Sequence, residues 1–220
     1  ARAAESSDPR YVGERRVLFA RTRARAGTPG PGDGAEEATL RAASTVREHQ
    51  DAAGFWLTSF TGSPSFVRPS REMNTFLTSV LVDLLGPVAG PAGLEPSLER
   101  ARRHLRAQIE PGGLVRYHGL PDAPTIGTLG CAITPDADDT ALVWRLTPGP
   151  PGALPGVLAT LGRYRTPEGL YRTWLAPRGR FQCIDPGRDP NPPDVAIQMH
   201  LLLFLARAQP AAARDLCVAL

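Results

Sequence analysis

The sequence predicts an all-α fold made of repeated helical hairpins. Three observations predict it: a Gly-centred motif recurs at nearly constant spacing, an amphipathic helix precedes each copy, and a more apolar helix follows each copy. A helix that is apolar on every face has to be surrounded by protein, so the alternation describes an outer and an inner concentric layer. Sustained period-two alternation and Asn-Gly hairpin signals, which would predict a β-sheet, are absent from the sequence.

The Gly motif has its fullest form in the first unit, where Gln50, Gly54 and Trp56 spell Q-x-x-x-G-x-W. We align residues 108–114 and 165–171 with it, since both stretches keep the Gly and end on an apolar or aromatic residue. The starting positions 50, 108 and 165 give periods of 58 and 57 residues. A period of this length is typical of a tandem array of helical hairpins.

Apolar residues at a spacing of three or four mark one buried face of the helix before each Gly motif. These outer-helix stripes are Leu40, Ala43 and Val46 in the first unit, Leu94, Leu98, Ala101, Leu105 and Ile109 in the second, and Leu154, Val157, Leu158 and Leu161 in the third. A similar stripe through Ala213, Leu216 and Leu220 predicts the outer helix of a fourth unit.

The inner helices are predicted at residues 75–85, 140–146 and 195–206, each just after a polar cluster. Asn, Asp and Thr side chains accept hydrogen bonds from the free N–H groups of a first helical turn. Carboxylates also gain there from the helix dipole. If they have no other role, Asp138 and Asp139 are expected to cap the helix that begins at Thr140. In the third unit, Asp194 occupies the position that Asp139 occupies in the second.

The composition excludes several classes of protein. All 25 basic residues are Arg, so a Walker-A lysine and a Schiff-base lysine are both excluded. The three Cys residues form no CxxC pair, which argues against a disulfide framework and a zinc site of that type, and favours a reducing, cytoplasmic location. The His residues are scattered, with no pair at i and i+4, and we predict no metal site. No apolar run reaches membrane-spanning length.

Two regions are expected along the chain. Residues 1–35 form an Arg-rich helix followed by a Gly/Pro loop, and residues 36–220 form the helical repeats. The Arg-rich helix is interpreted as a solvated helix, not a nucleic-acid arm, because no aromatic residues interleave with the arginines. An open array of hairpins would expose apolar inner-helix surface, which predicts an oligomer or a further C-terminal segment. Peripheral membrane contact stays open as well.

Two motifs resemble a known family. Q-x-x-x-G-x-W resembles the QW motif of squalene–hopene and oxidosqualene cyclases, and residues 135–141, Pro-Asp-Ala-Asp-Asp-Thr-Ala, resemble the DxDDTA motif of class II terpene cyclases. Both belong to the α/α-toroid superfamily, which also contains the β subunits of protein prenyltransferases. Over residues 36–220 the resemblance implies an α/α-toroid, here a partial or open arc because the chain offers fewer helices than a closed toroid.

The resemblance also implies a chemistry. Asp138, the middle Asp of DxDD, would protonate a double bond or an epoxide of a hydrophobic isoprenoid substrate, with Asp136 and Asp139 as the neighbours that keep it protonated. The enzyme would then be an isomerase or lyase that needs no cofactor, with Mg²⁺ left open for a diphosphate substrate. The alternative is a non-catalytic α/α-toroid module that binds a hydrophobic ligand or a partner protein.

Five further residues are candidates for substrate binding. They are Trp56, Trp144, Tyr171, Asp194 and His200. Each has a structural alternative: large aromatic residues in helical proteins commonly pack in the core, Asp194 would cap a helix, and His200 would be a core histidine with satisfied hydrogen bonds.

Overall fold

The computed structural model describes residues 34–60, 67, 69–120, 133–177 and 191–220, and these residues form seven α-helices and one two-stranded sheet. The helices are α1 (Ala35–Glu48), α2 (Thr75–Leu85), α3 (Glu95–Ala107), α4 (Ala137–Leu146), α5 (Leu154–Arg163), α6 (Val195–Ala208) and α7 (Pro210–Ala219). The strands are β1 (Leu57–Phe60) and β2 (Ser70–Met73), which pair antiparallel. The predicted helical class is confirmed, while the Arg-rich segment expected before residue 34 lies outside the described residues.

The three predicted inner helices, α2, α4 and α6, lie side by side, with α4 in contact with both neighbours. At one end Thr75 of α2 donates a hydrogen bond to Asp139 of α4 (2.6 Å). At the other end Asp83 of α2 forms an ion pair with Arg145 of α4. The last turns of α6 line one cavity together with those same two side chains. The three helices are therefore parallel, with their first turns at one end and their last turns at the other.

The outer helices bury the faces that the stripes predict, with two exceptions, Leu40 and Leu220, which are both 51% exposed. All five stripe residues of the second unit are buried, and so are Val157 and Leu161 of α5. The prediction of a buried face is wrong at Leu40 and Leu220. The second half of α1 contacts the rest of the fold, where Arg47 donates to the carbonyl of Ala92 (3.2 Å) and the indole of Trp56 donates to the carbonyl of Val46 (2.8 Å).

Helix α6 departs from the prediction of an enclosed helix. Val195, Met199 and Leu203 are 67%, 44% and 51% exposed. Residues four apart share one face of a helix, so one side of α6 is an open apolar face, while Leu201 and Leu205 on other sides are buried. Within the described part of the chain, α4 and α7 pack on α6, and both leave this face uncovered. The prediction of burial on all sides is wrong for α6 for that reason.

The glycine turn recurs three times with the same hydrogen bonds. Gly54, Gly113 and Gly169 have φ values of 103°, 87° and 93°, which only glycine adopts without strain. Each donates its N–H to the carbonyl three residues before it, at 2.9, 2.7 and 3.0 Å. The turn glycine of the second unit is thus Gly113, one residue later than aligned from the sequence. The positions four residues before the three turn glycines are 50, 109 and 165, and the sequence alignment differed by one residue because Gly112 and Gly113 are adjacent.

The β1–β2 hairpin was not predicted. Each strand has only four residues, too few for the alternation of apolar and polar residues to stand out. The register places Leu57 opposite Met73 and Thr58 opposite Glu72. The hairpin therefore carries the Glu72 side chain to the start of α2, where it becomes part of the candidate site.

None of the described helices combines the length and apolar character that crossing a lipid bilayer requires.

Candidate functional site

Three carboxyl groups gather at the beginning of α4. Asp136, Asp138 and Asp139 each place an oxygen within 4.8 Å of the other two. Asp136 and Asp139 are 2% and 1% exposed, whereas Asp138 is half-buried. The arrangement therefore has two enclosed carboxyls and one that a ligand can reach.

The cap of α4 is Asp136, whose Oδ1 accepts a hydrogen bond from the backbone N–H of Asp139 (2.9 Å). Asn74 and Asp194 cap α2 and α6 in the same way, through the N–H groups of Leu77 (2.7 Å) and Ala196 (2.8 Å). The prediction that Asp138 and Asp139 cap the helix is wrong, because α4 begins three residues earlier than expected. The counterpart of Asp194 is consequently Asp136, and Asp138 and Asp139 are extra to capping.

The main chain before α4 is held between the segments that follow the second and third glycine turns. The N–H of Asp136 donates to the carbonyl of Val115 (3.1 Å), and the N–H of Ala137 donates to that of Thr173 (2.8 Å). The hydroxyl of Thr140 accepts from the N–H of Val115 (3.0 Å). Thr140 therefore fixes the position of the first turn of α4, and with it the three carboxyls, relative to the segment that follows the second glycine turn.

Burial and like charge keep protons on this cluster. Burial first, and then the charges of Asp139 and Asp138, raise the pKa of Asp136 well above its ordinary value. Burial and the charge of Asp138 raise the pKa of Asp139 to about 7, although hydrogen bonds from Thr75 and Asp136 act in the opposite direction. An oxygen of Asp136 also lies within 4.8 Å of an oxygen of Asp138. The buried carboxyl whose pKa is raised is thus adjacent to the carboxyl that a ligand can reach.

Replacing Asp139 by Asn should reduce the fall in stability that the wild-type protein shows as the pH rises. The unfolded chain titrates this carboxyl near pH 4, and the folded protein near pH 7, so the folded state binds more protons between about pH 4 and pH 7. The free energy of unfolding therefore decreases across that window. Asn keeps an acceptor for Thr75 and has no charge to bury.

Urea unfolding at about pH 4.5 and pH 7.5 measures this effect. The Asp139→Asn protein should lose less stability between the two conditions than wild type does. Asp215→Asn, which removes an exposed carboxyl of α7, serves as the control and should keep the wild-type slope. An unchanged slope in Asp139→Asn would show that this carboxyl titrates alike in both states.

A second buried polar cluster adjoins the carboxyls. Glu72 accepts hydrogen bonds from Tyr117 (Oη to Oε1, 2.7 Å) and Asn74 (Nδ2 to Oε1, 3.2 Å), and its Oε2 lies 3.0 Å from Nε2 of His118. Glu72 and His118 are both buried. Thr75 connects the two clusters, because its N–H donates to the carbonyl of Tyr117 (2.8 Å) while its hydroxyl donates to Asp139.

The partners of Glu72 decide its charge. Burial alone would raise the pKa of Glu72, but hydrogen bonds from His118, Tyr117 and Asn74 lower it below the ordinary value. Burial and the neighbouring Glu72 carboxylate raise the pKa of Tyr117. The charges of Asp139 and Asp136 raise it further. The second cluster therefore holds an anion beside two carboxyls, those of Asp136 and Asp139, whose pKa values are raised. Sequence reasoning missed it, since residues 117 and 118 follow a different glycine turn from Glu72.

The predicted aromatic binding residues lie mainly in packing positions. Trp56 is 5% exposed in the core around α3. The indole of Trp144 donates to the carbonyl of Gly113 (2.6 Å), beneath the second glycine turn. Tyr171 is buried with the guanidinium of Arg165 5.2 Å from its ring centre. Asp194 serves as the exposed cap of α6. These contacts explain the four residues without a ligand.

His200 is the candidate that the fold brings towards the carboxyls. Its ring meets that of Phe76 edge-on at 6.0 Å, so it lies between α6 and α2. Burial lowers the pKa of His200, and the charge of Asp138 acts in the opposite direction. Its Nδ1 is buried and has no hydrogen-bond partner among the described residues. The expectation of a core histidine with satisfied hydrogen bonds is therefore wrong for this atom.

The carboxyl oxygens suit protons better than a hydrated cation. Oδ1 of Asp136 and Oδ1 of Asp139 already accept hydrogen bonds from the chain. Mg²⁺ keeps several waters in its coordination shell and needs an open side, which only Asp138 offers. A role for Mg²⁺ with a diphosphate substrate stays a prediction.

The chain matches no known protein-family model, and no curated protein or solved structure matches it. The resemblance to class II terpene cyclases therefore rests on the DxDDTA and Q-x-x-x-G-x-W residues themselves.

Proposed function

We propose that this chain is a terpene-cyclase-like protein whose carboxyl cluster protonates a double bond or an epoxide of an isoprenoid substrate. Asp138 meets the substrate, and Asp136 supplies the proton that Asp138 delivers. In this proposal the parallel inner helices and the outer helices around them form an arc of an α/α-toroid. The observation that carries the proposal is the closeness of the buried Asp136 to the accessible Asp138, whose carboxyl oxygens lie within 4.8 Å of each other.

An alkene is a very weak base, so its general acid must hold a proton at neutral pH and still release it. Burial and crowding raise the pKa of Asp136 and so supply the first requirement. The hydrogen bond from Thr75 stabilises the ionised form of Asp139, which favours release once the proton has left the cluster. Both conditions are met within the first turn of α4.

The reaction balances as an isomerisation. A proton passes from Asp138 to one carbon of the double bond, and the electron pair of that bond forms the new C–H bond. The remaining cation is attacked by further double bonds of the same chain, which closes rings. Loss of a different proton from the last cation to water ends the sequence, Asp136 restores the proton on Asp138, and a proton from water restores Asp136.

Incubation in D₂O with squalene, farnesyl diphosphate and geranylgeranyl diphosphate tests the proposal. We expect a cyclic product from at least one of them that carries one deuterium bound to carbon, detected by gas chromatography and mass spectrometry. A cyclic product without deuterium would indicate ionisation of the diphosphate and would contradict protonation by the cluster. Absence of turnover for every such substrate would contradict the proposed activity.

The open apolar face of α6 favours a second candidate function, a non-catalytic module that binds a hydrophobic ligand or a partner protein. Val195, Met199 and Leu203 form an uncovered stripe about 12 Å long, given 1.5 Å of rise per residue. A non-catalytic module would give no deuterated product. It would instead show saturable binding of a fluorescent apolar probe that Met199→Ser weakens.

A further inference from the structure

An open cavity of about 360 Å³ lies at the end of the inner helices opposite the carboxyl cluster. The last turns of α2, α4 and α6 and the side of α3 form its walls. Its volume is at the lower end of the range for small-molecule sites, roughly 300–1,000 Å³. Asp138 and Arg145 are seven residues apart on α4, which places the two sites roughly 10 Å apart along the helix axis.

Three arginines line this cavity against one carboxylate. Arg145 forms an ion pair with Asp83, and the other two are Arg102 of α3 and Arg207 of α6. Cations commonly lie near helix C-termini because they complement the helix dipole, and this accounts for Arg145 and Arg207. The helix dipole does not explain why Arg102 lines the cavity, because Arg102 lies outside the last turn of α3.

The guanidinium of Arg145 has hydrogen-bonding capacity that the protein leaves unused. Its side chain is only 8% exposed, and its Nε has no hydrogen-bond partner among the described residues. Buried polar groups are normally paired, and a planar guanidinium matches the oxygens of a phosphate. Among the described residues, the one ion pair of Arg102 is a long one with Glu99 (3.9 Å), and its side chain is part-exposed. Arg102 is therefore available to an anion, and the buried Nε of Arg145 shows that this second guanidinium also has a donor that the described residues leave unsatisfied.

One wall of the cavity is apolar. Leu146 and Leu203 contribute to it, and Leu203 belongs also to the open apolar face of α6. Along α6 that face runs Val195, Met199, Leu203 and then Arg207, each four residues after the last. A ligand with an anionic head and an apolar chain fits along this line, with its head among the arginines.

We propose that this cavity binds a phosphate or diphosphate group, either free or as the head group of an amphiphile. Arg102, Arg145 and Arg207 hold the phosphate oxygens, and Leu203 contacts the apolar chain when there is one. This site uses no residue of the carboxyl cluster, so the inference goes beyond the proposed function and does not depend on it.

Isothermal titration calorimetry with inorganic diphosphate tests the anion site. We expect saturable binding to the wild-type protein and a rise in Kd of about tenfold or more in Arg102→Gln and in Arg207→Gln, the loss expected for one charge-assisted hydrogen bond. Arg103→Gln is the matched control, since Arg103 is the next residue of α3 and its side chain is 62% exposed. It should change Kd by less than about twofold.

Titration with dodecyl phosphate and inorganic phosphate distinguishes the two sources of the head group. Tighter binding of dodecyl phosphate, weakened by Leu203→Ala, assigns an amphiphile, while equal affinities assign a free phosphate. Absence of diphosphate binding in the wild-type protein, or an equal loss in Arg103→Gln, would overturn the site. Asp138→Asn should leave diphosphate binding unchanged, so failure of the proposed cyclisation is distinguishable from failure of this site.

Discussion

Replacing Asp138 by Asn should reduce the rate of isoprenoid cyclisation by about 10²–10⁴-fold, the usual contribution of a general acid. Asn has nearly the size of Asp but has no acidic proton, so Asp136 loses the accessible partner to which it passes its own. The rate of formation of the deuterated cyclic product measures the effect. Because Asp138 is not the cap of α4, the substitution should leave the helix and the stability of the fold largely intact.

Asp194→Asn is the matched control. Asp194 caps α6 as Asp136 caps α4, and Asn caps a helix about as well as Asp does. The control changes the same chemical group at the same end of a neighbouring inner helix, and turnover should stay within about twofold of wild type, as for a surface change. If Asp138→Asn kept wild-type turnover, Asp138 would not be the acid.

Replacing Gly54 by Ala should destabilise the protein by about 3 kcal/mol or more, through two additive causes. The left-handed φ of 103° costs a residue with a Cβ about 1–2 kcal/mol. The new Cβ would also lie 2.5 Å from the carbonyl oxygen of Arg100, and backbone atoms of a helix have little room to move. The turn would have to separate from α3, which loosens the core beneath Trp56.

Gly152→Ala separates the two causes. Gly152 has a φ of 75°, but no atom lies within 4 Å of the position that an alanine Cβ would take there, so this variant carries the conformational cost alone, about 1 kcal/mol. Urea unfolding of both variants gives the difference in free energy of unfolding. Equal losses in the two proteins would show that the close approach to Arg100 contributes nothing.

Much of the helical arrangement could be predicted because it depends on local patterns. The stripe from Leu94 to Ile109 is buried throughout, and α2 begins and ends as predicted. The start of α4 was missed by three residues because Ala137, Asp138 and Asp139 resemble a capping segment, whereas Asp136 alone caps the helix. The exposure of α6 depends on which elements pack against it, and a hydrophobic pattern carries no information about that.

The candidate site could be predicted only in part. The acidic run was visible because its members are adjacent in the chain. The separate roles of its members could not be predicted. Asp136 is buried and Asp138 is half-buried, and burial is a property of the tertiary structure. The Glu72–His118 contact joins residues 46 positions apart. No local pattern connects such residues, and only the meeting of β2 with the segment after α3 brings them together.

The bond between Thr75 and Asp139 and the ion pair between Asp83 and Arg145 have a joint consequence. Apolar packing is non-directional, so it does not by itself fix how far one helix is shifted along the axis of the other. A polar contact at each end of the α2–α4 pair fixes that shift. The position of the accessible Asp138 carboxyl along the helix axis is therefore determined by both contacts.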